Sequence, residues 1–403
     1  MKLLIIHQAF ASPDSAGGTR HFELAQHLVR SGHKVTIIAS DVNYLTGARQ
    51  SDDGIREENI DGVRVVRART LPMLHRSFVW RIASFFSFMG SSILASLKAG
   101  RPDLVMGTSP PIFQGVSAWL VSLIRRKPFL LEIRDLWPEF AIDMGVLRNK
   151  TLIAWSRRLE GFLYSRADHL LVNSPAYREY LLEKNLPPHK ISLVANGADP
   201  EAFDPNATGT SFRSKWAPGA QFVVTYAGAL GLANDISTLI ETAALLQDTG
   251  VKILIVGDGK ERINLERQAK ERKLENVSFV GTVSKTEMPE VLAASDAGLA
   301  ILKNIPMFTT TYPNKVFDYM AAGRPVILAI DGVIRQVVED SGAGIFVRPG
   351  DALALAAAIN HLAALPDHGQ AMGMAGRRVV EERFNRRKQA GEFQLLLERL
   401  VER

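Results

Sequence analysis

A chain of 403 residues with 46% hydrophobic and 22% charged side chains is too long for one ordinary core, and its composition is that of a folded protein. The absence of cysteine from the sequence excludes disulfides, zinc–thiolate sites and a cysteine nucleophile, and agrees with a cytoplasmic location. The net charge of +6 is concentrated in residues 1–200, which carry 25 Lys and Arg against 18 Asp and Glu. This half predicts an anionic partner, with membrane headgroups or a lipid pyrophosphate ranked above nucleic acid, for which we find no binding motif.

The first elements form a strand–helix–strand unit. The start of the chain, MKLLIIHQAF, has the pattern of a strand rather than of a signal peptide, and residues 35–39 form the second strand. The loop between the first strand and the helix contains Gly17, Gly18 and Arg20. Their spacing is not the GxGxxG of dinucleotide-binding proteins, but glycines and an arginine at a helix start allow close approach of a phosphate or sugar. We therefore predict that this loop binds substrate, although an ordinary turn is the alternative.

The segment 75–101 is densely apolar and aromatic and has basic residues near both ends. Arg81, Gly90 and several serines interrupt it, so it does not have the pattern of a transmembrane span. A helix that lies in the membrane interface fits the pattern, with aromatic side chains at headgroup level and basic ones on anionic lipid. The alternative is a buried helix of the first domain. We predict contact with an anionic membrane surface.

A predicted strand at residues 129–133 ends in a cluster of charged residues, Arg134, Asp135 and Glu139. The carboxyl end of a parallel strand is a common place for chemistry or substrate binding. Arginine is always charged and cannot act as a general base. Asp135 is therefore the first candidate for contacting an acceptor hydroxyl, and Glu139 is the second. Alternatively, Arg134 and Asp135 neutralise one another.

A second strand–glycine turn–helix unit begins at residue 221. Gly228 and Gly231 lie in its first turn, and Gly257 follows the next strand. The backbone N–H groups of such turns can approach a pyrophosphate closely. The cations expected to complete this phosphate site are Lys303 and Lys315, with Lys303 also a candidate catalytic residue.

The repeat of this unit predicts two domains. We assign residues 1–203 to the first domain, 204–220 to a linker, 221–385 to the second domain and 386–403 to a final helix. The boundary follows a tight turn at Asn196-Gly197, which leads into a proline-marked crossing.

The stretch from residue 309 to 330, TTTYPNKVFDYMAAGRPVILAI, predicts a helix that starts after Pro313 and ends before Gly323, followed by a buried strand. Asp318 lies four residues after Asn314 and three after Lys315, so we expect the three side chains on one side of the helix. The helix start suits a phosphate, and a carboxylate one turn later can accept two hydrogen bonds from a sugar diol. A helix cap with an exposed charge pair is the alternative.

Taken together, these motifs resemble the GT4 family of retaining glycosyltransferases. The resemblance is carried, in the family's order, by the turn at residues 17–18, the NGAD segment at 196–199, the turn at Gly228 and the DYMAAGRPV run that starts at Asp318. It implies the GT-B fold, an α/β architecture of two facing Rossmann-like domains with parallel sheets and a C-terminal crossover helix that packs on the first domain. Within the family, the chain looks similar to bacterial O-antigen and capsule transferases, including those similar to L-fucosamine transferases.

The resemblance also implies roles for individual residues. Asp318 would bind the ribose of a nucleotide-sugar, whereas the position of the family's first glutamate is occupied by Thr310. The position of a common family histidine is occupied by Arg134. The turn that contains Val280 and Val283 would hold the nucleotide base through backbone groups.

The implied activity is retaining transfer of a sugar, an N-acetylated or deoxy hexose, from a UDP-linked donor to a lipid-diphosphate-linked saccharide at the inner face of the cell membrane. No Asp-x-Asp motif occurs in the sequence, so we expect dipoles, amides and lysines to stabilise the leaving phosphate without a metal or other cofactor. Two alternatives stay open. One is a nucleotide-sugar 2-epimerase with the same fold, and the other is a non-catalytic paralogue that binds sugar nucleotides.

Overall fold

The computed structural model describes residues 1–14, 17–43, 47, 49, 56–73 and 76–402, and these residues divide between two compact units. Unit 1 consists of Met1–Ser12, Gly17–Ala195 and Arg387–Arg403, and unit 2 of Pro13–Ala16 and Asn196–Arg386. The residues predicted to form a linker, 204–220, belong to unit 2 and include a short helix. The chain therefore forms two Rossmann-like α/β units, as the sequence predicts.

Unit 1 is built on an eight-stranded sheet with the order β3-β4-β2-β1-β5-β6-β7-β8. Neighbouring strands are parallel except for the β3–β4 pair, which is antiparallel. The short edge strand β3 was not predicted, because its sequence REENI is polar and lacks the apolar run of the buried strands. The strands are β1 Lys2–Ile6, β2 Lys34–Ser40, β3 Arg56–Ile60, β4 Val63–Ala68, β5 Leu104–Ser109, β6 Phe129–Ile133, β7 His169–Val172 and β8 Ile191–Leu193.

Helices cover the unit 1 sheet, and a buried apolar core lies beneath α1. The amphipathic pattern of α1 places Phe22, Ala25 and Leu28 in this core. The helices of unit 1 that precede residue 195 are α1 Arg20–Arg30, α2 Phe78–Lys98, α3 Phe113–Arg125, α4 Glu139–Asp143, α5 Lys150–Arg166 and α6 Pro175–Glu183.

Unit 2 contains a fully parallel six-stranded sheet with the order β11-β10-β9-β12-β13-β14. Its strands are almost continuous apolar runs, as expected where helices bury both faces. They are β9 Phe222–Ala227, β10 Val251–Val256, β11 Val277–Gly281, β12 Ala297–Ile301, β13 Val326–Ala329 and β14 Gly344–Phe346.

The helices that follow residue 196 are α7 Thr210–Trp216, α8 Ile236–Leu245, α9 Arg262–Glu271, α10 Met288–Ala293, α11 Asn314–Ala321, α12 Val333–Ser341, α13 Ala352–Ala364, α14 Gln370–Arg383 and α15 Arg386–Val401. The last of them, α15, contributes Phe393 and Leu397 to the core of unit 1. This placement agrees with the crossover helix that the family resemblance implies.

Helix α2 matches both interpretations of the segment 75–101 in part. One face is buried, with Phe88, Ser92 and Ser96 inaccessible, whereas Val79 and Leu94 on the helix are 73% and 60% exposed. Among the described residues no helix is long and apolar enough to cross a membrane. His75, the first residue of the predicted segment, lies outside the described residues. The helix is thus a core element that also presents apolar side chains to the surface.

Candidate functional site

In unit 1, polar side chains meet where β1, β5 and β6 end. Strand β1 pairs with β2 on one side and with β5 on the other, so the chain winds in opposite directions from this point of the sheet. Ligands of open α/β sheets bind at such switch points, beyond the carboxyl ends of the strands. We call the following residues the N-terminal cluster: His7, Arg20, His21, Thr108, Glu132 and Arg134.

Glu132, on β6, is the fully buried anion of this cluster. Its Oε1 accepts a hydrogen bond from Nε of Arg20 at 3.3 Å, and its Oε2 is bonded to Nε2 of His21. The other nitrogens of Arg20 donate to the backbone carbonyls of Ala195 and Val194 at 2.8 and 2.7 Å. Burial by itself would raise the pKa of Glu132, but His21 and Arg20 outweigh it and hold that pKa well below its usual range. The carboxylate is therefore ionised, and Arg20 compensates its charge.

A row of three side chains crosses the neighbouring strand ends. His7 Nε2 lies 3.2 Å from Nη1 of Arg134, and His7 Nδ1 lies 2.9 Å from Oγ1 of Thr108. Burial, followed by the charges of His21 and Arg134, lowers the pKa of His7 well below its usual value, so the ring is neutral. Because an arginine can only donate, Nε2 accepts from Arg134 and the Nδ1–H group donates to Thr108. Gln114 also donates to Thr108, at 2.8 Å, and thereby orients its hydroxyl.

The charged residues predicted at the end of β6 point to different partners. In the part of the chain that the structure describes, Arg134 and Asp135 attract one another electrostatically without forming a direct ion pair. Asp135 is half-buried, and burial raises its pKa to about 6 in spite of the opposing charge of Arg134. Glu139 instead accepts two hydrogen bonds from Arg157, at 2.8 and 2.9 Å, and so ties α4 to α5. Of the two carboxylates, Asp135 is thus the better placed for chemistry.

The predicted substrate loop at the start of α1 has a strong structural component. A Cβ on Gly17, whose φ is +146°, would lie 2.7 Å from the Cβ of Ala11, whereas a Cβ on Gly18 would meet nothing within 4 Å. Arg20 is 4% exposed, and its donors are taken up by protein groups. The loop therefore leaves space at Gly18, while Arg20 acts within the N-terminal cluster rather than at the surface.

In unit 2, two glycine turns pack against each other beyond β9 and β10. A Cβ on Gly257 would clash with the carbonyl oxygen of Gly228, and a Cβ on Gly259 would lie 2.5 Å from the carbonyl oxygen of Leu230. A Cβ on Gly231 would meet nothing within 4 Å. Close backbone packing thus requires glycine at positions 257 and 259, whereas Gly231 borders open space.

Lys315, on α11, brings an ammonium group to the Gly228 turn. A Cβ on Gly228 would lie 2.6 Å from Lys315 Nζ, and that nitrogen is 3.9 Å from the centroid of the Tyr226 ring. Burial lowers the pKa of Lys315 to about 7. No carboxylate or other acceptor pairs with this ammonium among the described residues, and the ring face of Tyr226 is its one polar contact there. We call Lys315 together with the turns at Gly228 and Gly257 the glycine-turn site.

Asp318, also on α11, is paired with a residue that the sequence did not suggest. Lys285 Nζ lies 2.8 Å from both carboxylate oxygens, and the same nitrogen is 5.6 Å from the ring centroid of Phe203. The Asp318 side chain is 18% exposed, so the pair is reachable by solvent. A ligand that takes both oxygens of Asp318 must therefore displace Lys285.

The other residues predicted around α11 have local partners. The side chain of Asn314 accepts from Arg386 Nη2 at 3.3 Å, and the hydroxyl of Thr310 donates to the carbonyl of Met307 at 2.6 Å. Asn314, Lys315 and Asp318 thus have three separate partners, although the helix begins at Asn314 as predicted. The remaining faces of α11 are buried through Val316, Phe317, Met320 and Ala321.

Three further predicted residues lie on or near the loops of unit 2. Lys303 follows β12, where its backbone N–H donates to Ala233 at 3.0 Å and its side chain is exposed. Val280 is the penultimate residue of β11, which ends at Gly281, and Val283 is half-buried two residues after that end. The carbonyl of Gly281 accepts from Gly257 at 2.7 Å, so the end of β11 is connected directly to the glycine-turn site.

Sequence reasoning missed several groups that the structure places at these sites, among them His21, Glu132, Tyr226 and Lys285. Glu132 carried a signal, since it is the one charged residue within the apolar strand FLLEI. Tyr226 and Lys285 carried none, because their partners lie far away in the sequence. In the described part of the chain, no cluster of three or more His, Cys, Asp or Glu side chains could hold a metal ion.

Comparison with known proteins links both units to one class of enzyme. Residues 16–197 match the family described as "Glycosyl transferase 4-like domain", and residues 221–364 match "Glycosyl transferases group 1". A GDP-mannose-dependent alpha-mannosyltransferase of Mycolicibacterium smegmatis is 26% identical over 384 residues, which are 94% of this chain and 92% of the relative.

Solved structures share the fold over the whole chain. Sucrose-phosphate synthase from Thermosynechococcus elongatus superposes with a TM-score of 0.80 at 21% identity and covers 100% of this chain and 99% of its own. HepE from Anabaena, solved in complex with UDP-glucose, has a TM-score of 0.73 at 18% identity and covers 99% of both chains. At these identities the likeness is one of fold.

Proposed function

We propose, from the premise that this chain belongs to the glycosyltransferases of the GT-B type, that it is a retaining enzyme with a UDP-linked sugar as donor. The observation that carries this proposal is the half-buried ammonium of Lys315, which lies beside the Gly228 turn without an acceptor among the described residues. A buried charge without a partner is costly to a folded protein, and a diphosphate would compensate it. UDP is favoured by the resemblance to UDP-dependent surface-polysaccharide transferases and by the UDP-glucose complex of HepE.

The donor would occupy the carboxyl edge of the unit 2 sheet. Its diphosphate would lie against the glycine-turn site, with Gly231 leaving room for it and Lys303 as a second, exposed cation. Its ribose would replace Lys285 on the carboxylate of Asp318, since two hydroxyls can donate to the two oxygens that Lys285 now contacts. The displaced ammonium of Lys285 would then be free to approach the donor.

The proposed reaction needs no group beyond the donor and the acceptor. The bond between the anomeric carbon and the diphosphate oxygen breaks, and the acceptor oxygen forms the new bond from the same face. The proton of the acceptor hydroxyl passes to the departing phosphate, whose negative charge Lys315 stabilises. Asp135 is the candidate to contact the acceptor hydroxyl, and we expect catalysis to continue when divalent cations are chelated.

Nucleotide titration in the presence of a chelator tests the donor site. We expect UDP, rather than GDP or ADP, to stabilise the wild-type protein in thermal-shift and calorimetric titrations. Asp318→Ala should lose about 1.5–3 kcal/mol of UDP affinity, because the ribose loses a charged acceptor. Asp340→Ala, which removes an exposed carboxylate of the same unit, should bind UDP as the wild type does.

Each other outcome of this titration has a definite meaning. Stabilisation by GDP alone would replace UDP with the nucleotide that the mannosyltransferase relative uses. An unchanged affinity in Asp318→Ala would remove Asp318 from the ribose site. Failure to bind any of the three nucleotides would contradict the transferase proposal as a whole.

The proposed acceptor is a lipid-diphosphate-linked saccharide of a bacterial surface polysaccharide, at the inner face of the membrane. Its support is a surface that α2 and α3 form together, which we call the α2–α3 surface. Exposed apolar side chains lie on these two helices and exposed basic side chains flank the helix ends, a combination that suits an anionic membrane surface. The apolar members are Val79, Trp80, Phe86, Leu94, Leu123 and Ile124, and the basic ones are Arg76, Lys98, Arg101, Arg126 and Lys127.

Vesicle binding tests this surface. We expect the wild type to sediment with vesicles that contain anionic lipid and to do so less with zwitterionic vesicles. The double variant Trp80→Ser, Leu94→Ser should lose most of this binding. Each substitution removes an apolar side chain whose burial in the membrane would contribute about 1.5–3 kcal/mol. Ile263→Ser, which alters an 82% exposed side chain of unit 2, is the matched control. Equal sedimentation of all three proteins would contradict the membrane proposal.

A further inference from the structure

We infer that Arg134 gives unit 1 a subsite for an anionic group, a carboxylate or a phosphate, on the saccharide substrate. The inference rests on the proposed function, since it names the class of saccharide that such a transferase would accept. Its basis is the pairing of charges within the N-terminal cluster.

Arg134 lies at the edge of the unit 1 sheet where ligands are expected. It directly follows β6, beside the point where β1 pairs with β2 on one side and with β5 on the other. The crevice at this point is the usual ligand site of an open α/β sheet. The guanidinium of Arg134 therefore lies where a substrate of unit 1 is expected.

The two arginines of the cluster differ in their hydrogen-bond partners. Arg20 pairs with the carboxylate of Glu132 at 3.3 Å. The positive charge of Arg134 attracts the nearby carboxylates of Glu132 and Asp135, but within the described residues its side chain forms a salt bridge with neither and contacts the neutral ring of His7. A negative group of a ligand would compensate the charge of Arg134, as Glu132 compensates that of Arg20.

A chain of hydrogen bonds orients the guanidinium of Arg134. Nη1 of Arg134 donates to His7, and His7 donates to the hydroxyl of Thr108 at 2.9 Å. The same hydroxyl also accepts from Gln114. A guanidinium has five N–H donors, so this contact leaves most of them for a ligand. Their planar fork matches the two oxygens of a carboxylate or phosphate, and a preorganised fork loses little entropy when it binds them.

The side chain of Arg134 is half-buried. Its charge is therefore less screened by water than that of a surface arginine, and its hydrogen bonds to an anion are stronger. A neutral hydroxyl at the same place would form weaker hydrogen bonds and would leave the positive charge uncompensated. The site should therefore discriminate between charged and neutral sugars.

Ligand-observed NMR titration with glucose, glucuronate and glucose 6-phosphate tests the inference on the full-length protein. We expect one of the anionic sugars to bind wild type about tenfold more tightly than glucose does, as a charge-assisted bidentate pair allows. A preference for glucuronate would identify a uronic acid as the substrate class, and a preference for glucose 6-phosphate would identify a phosphorylated sugar.

Variants assign the preference to Arg134. Arg134→Gln should bind the charged and neutral sugars equally, and Arg134→Lys, which keeps the charge but loses the fork, should retain only part of the preference. Arg166→Gln removes the same charge from the exposed end of α5 and should keep the full preference. UDP affinity, measured on the same samples, should be the same in all four proteins.

Two results would overturn the inference: no difference between charged and neutral sugars in the wild type, including no binding of either, or a preference that survives in Arg134→Gln. The UDP titration separates this failure from that of the proposed function. A protein that binds UDP but shows no anion preference refutes the subsite alone. A protein that binds no nucleotide refutes the donor proposal, and its sugar preference is then judged independently.

Discussion

Each sheet of this protein has a cation beyond its strands, but the two sheets compensate the positive charge differently. In unit 1, Arg20 donates to two backbone carbonyls and to the buried carboxylate of Glu132, which His21 also contacts. In unit 2, Lys315 is half-buried, and the described residues provide the ring face of Tyr226 as its one polar contact. The charge of Arg20 is thus compensated within the protein, whereas the charge of Lys315 would need a ligand to compensate it.

This difference distinguishes charged groups that stabilise the fold from charged groups that bind a ligand. A compensated ion pair in a core contributes when it is intact and is costly when one partner is removed. An uncompensated cation costs stability in the free protein, and its burial at a functional edge favours a binding role. Arg134 belongs with Lys315 in this respect, since its contact with His7 is neutral.

The largest effect is expected from Glu132→Gln. It leaves the charge of Arg20 buried without a counter-ion and should lower the free energy of unfolding by about 3–5 kcal/mol in urea titrations. Because the folded pKa of Glu132 lies below its unfolded value, the contribution is present above the unfolded pKa of about 4.3 and is lost as the pH falls below it.

Glu57→Gln is the control for this change. Glu57 pairs with Arg64 at the surface of the same unit, and its loss should cost about 0–1 kcal/mol. If both variants lost the same small amount, unit 1 would not depend on its buried carboxylate, and the contrast between the two sheets would fail.

Lys315→Met should have the opposite character. It removes a buried charge and keeps an apolar chain of similar length, so the free energy of unfolding at pH 7 should stay equal or rise. UDP affinity should fall by about 1.5–3 kcal/mol, because the diphosphate loses a charged donor. Calorimetry and urea unfolding on the same samples measure both quantities.

Lys270→Met, which changes an exposed lysine of α9, is the matched control and should alter neither quantity. A large loss of stability in Lys315→Met with unchanged UDP binding would show that Lys315 is structural. The comparison between the two sheets would then have to be withdrawn.

A smaller effect is expected from pH. Burial holds the pKa of Lys315 at about 7, and a bound diphosphate would raise it, so UDP affinity should fall by up to about tenfold per pH unit above 7. Unfolded lysine titrates near pH 10.4, so unfolding takes up a proton between these values and the wild type should gain stability as pH rises from about 7. Proton uptake on UDP binding at pH 8, measured by calorimetry in buffers of different ionisation enthalpy, checks the first statement.

Lys315→Met should abolish both pH dependences. If the variant showed the same decline of UDP affinity as the wild type, another group would be responsible. A flat wild-type profile would mean that the ammonium keeps an ordinary pKa and does not approach the phosphate.

Much of the architecture could be predicted because it is encoded locally. Apolar runs mark the buried strands, the 3.6-residue pattern marks α1, and Gly323 marks the end of α11. The edge strand β3 was missed because its sequence is polar. Such segments take their structure from neighbours rather than from their own pattern.

The sequence by itself determined the two repeated strand–glycine turn–helix units, the family they resemble and the neighbourhood of Lys315 and Asp318. Only the tertiary structure decided which charges are compensated. It brings Glu132 to Arg20 across 112 positions of the chain and Lys285 to Asp318 across 33, and it leaves Lys315 with Tyr226. Sequence patterns report which face of an element is apolar, whereas the partner of a buried charge is chosen by strands and helices that meet only after folding.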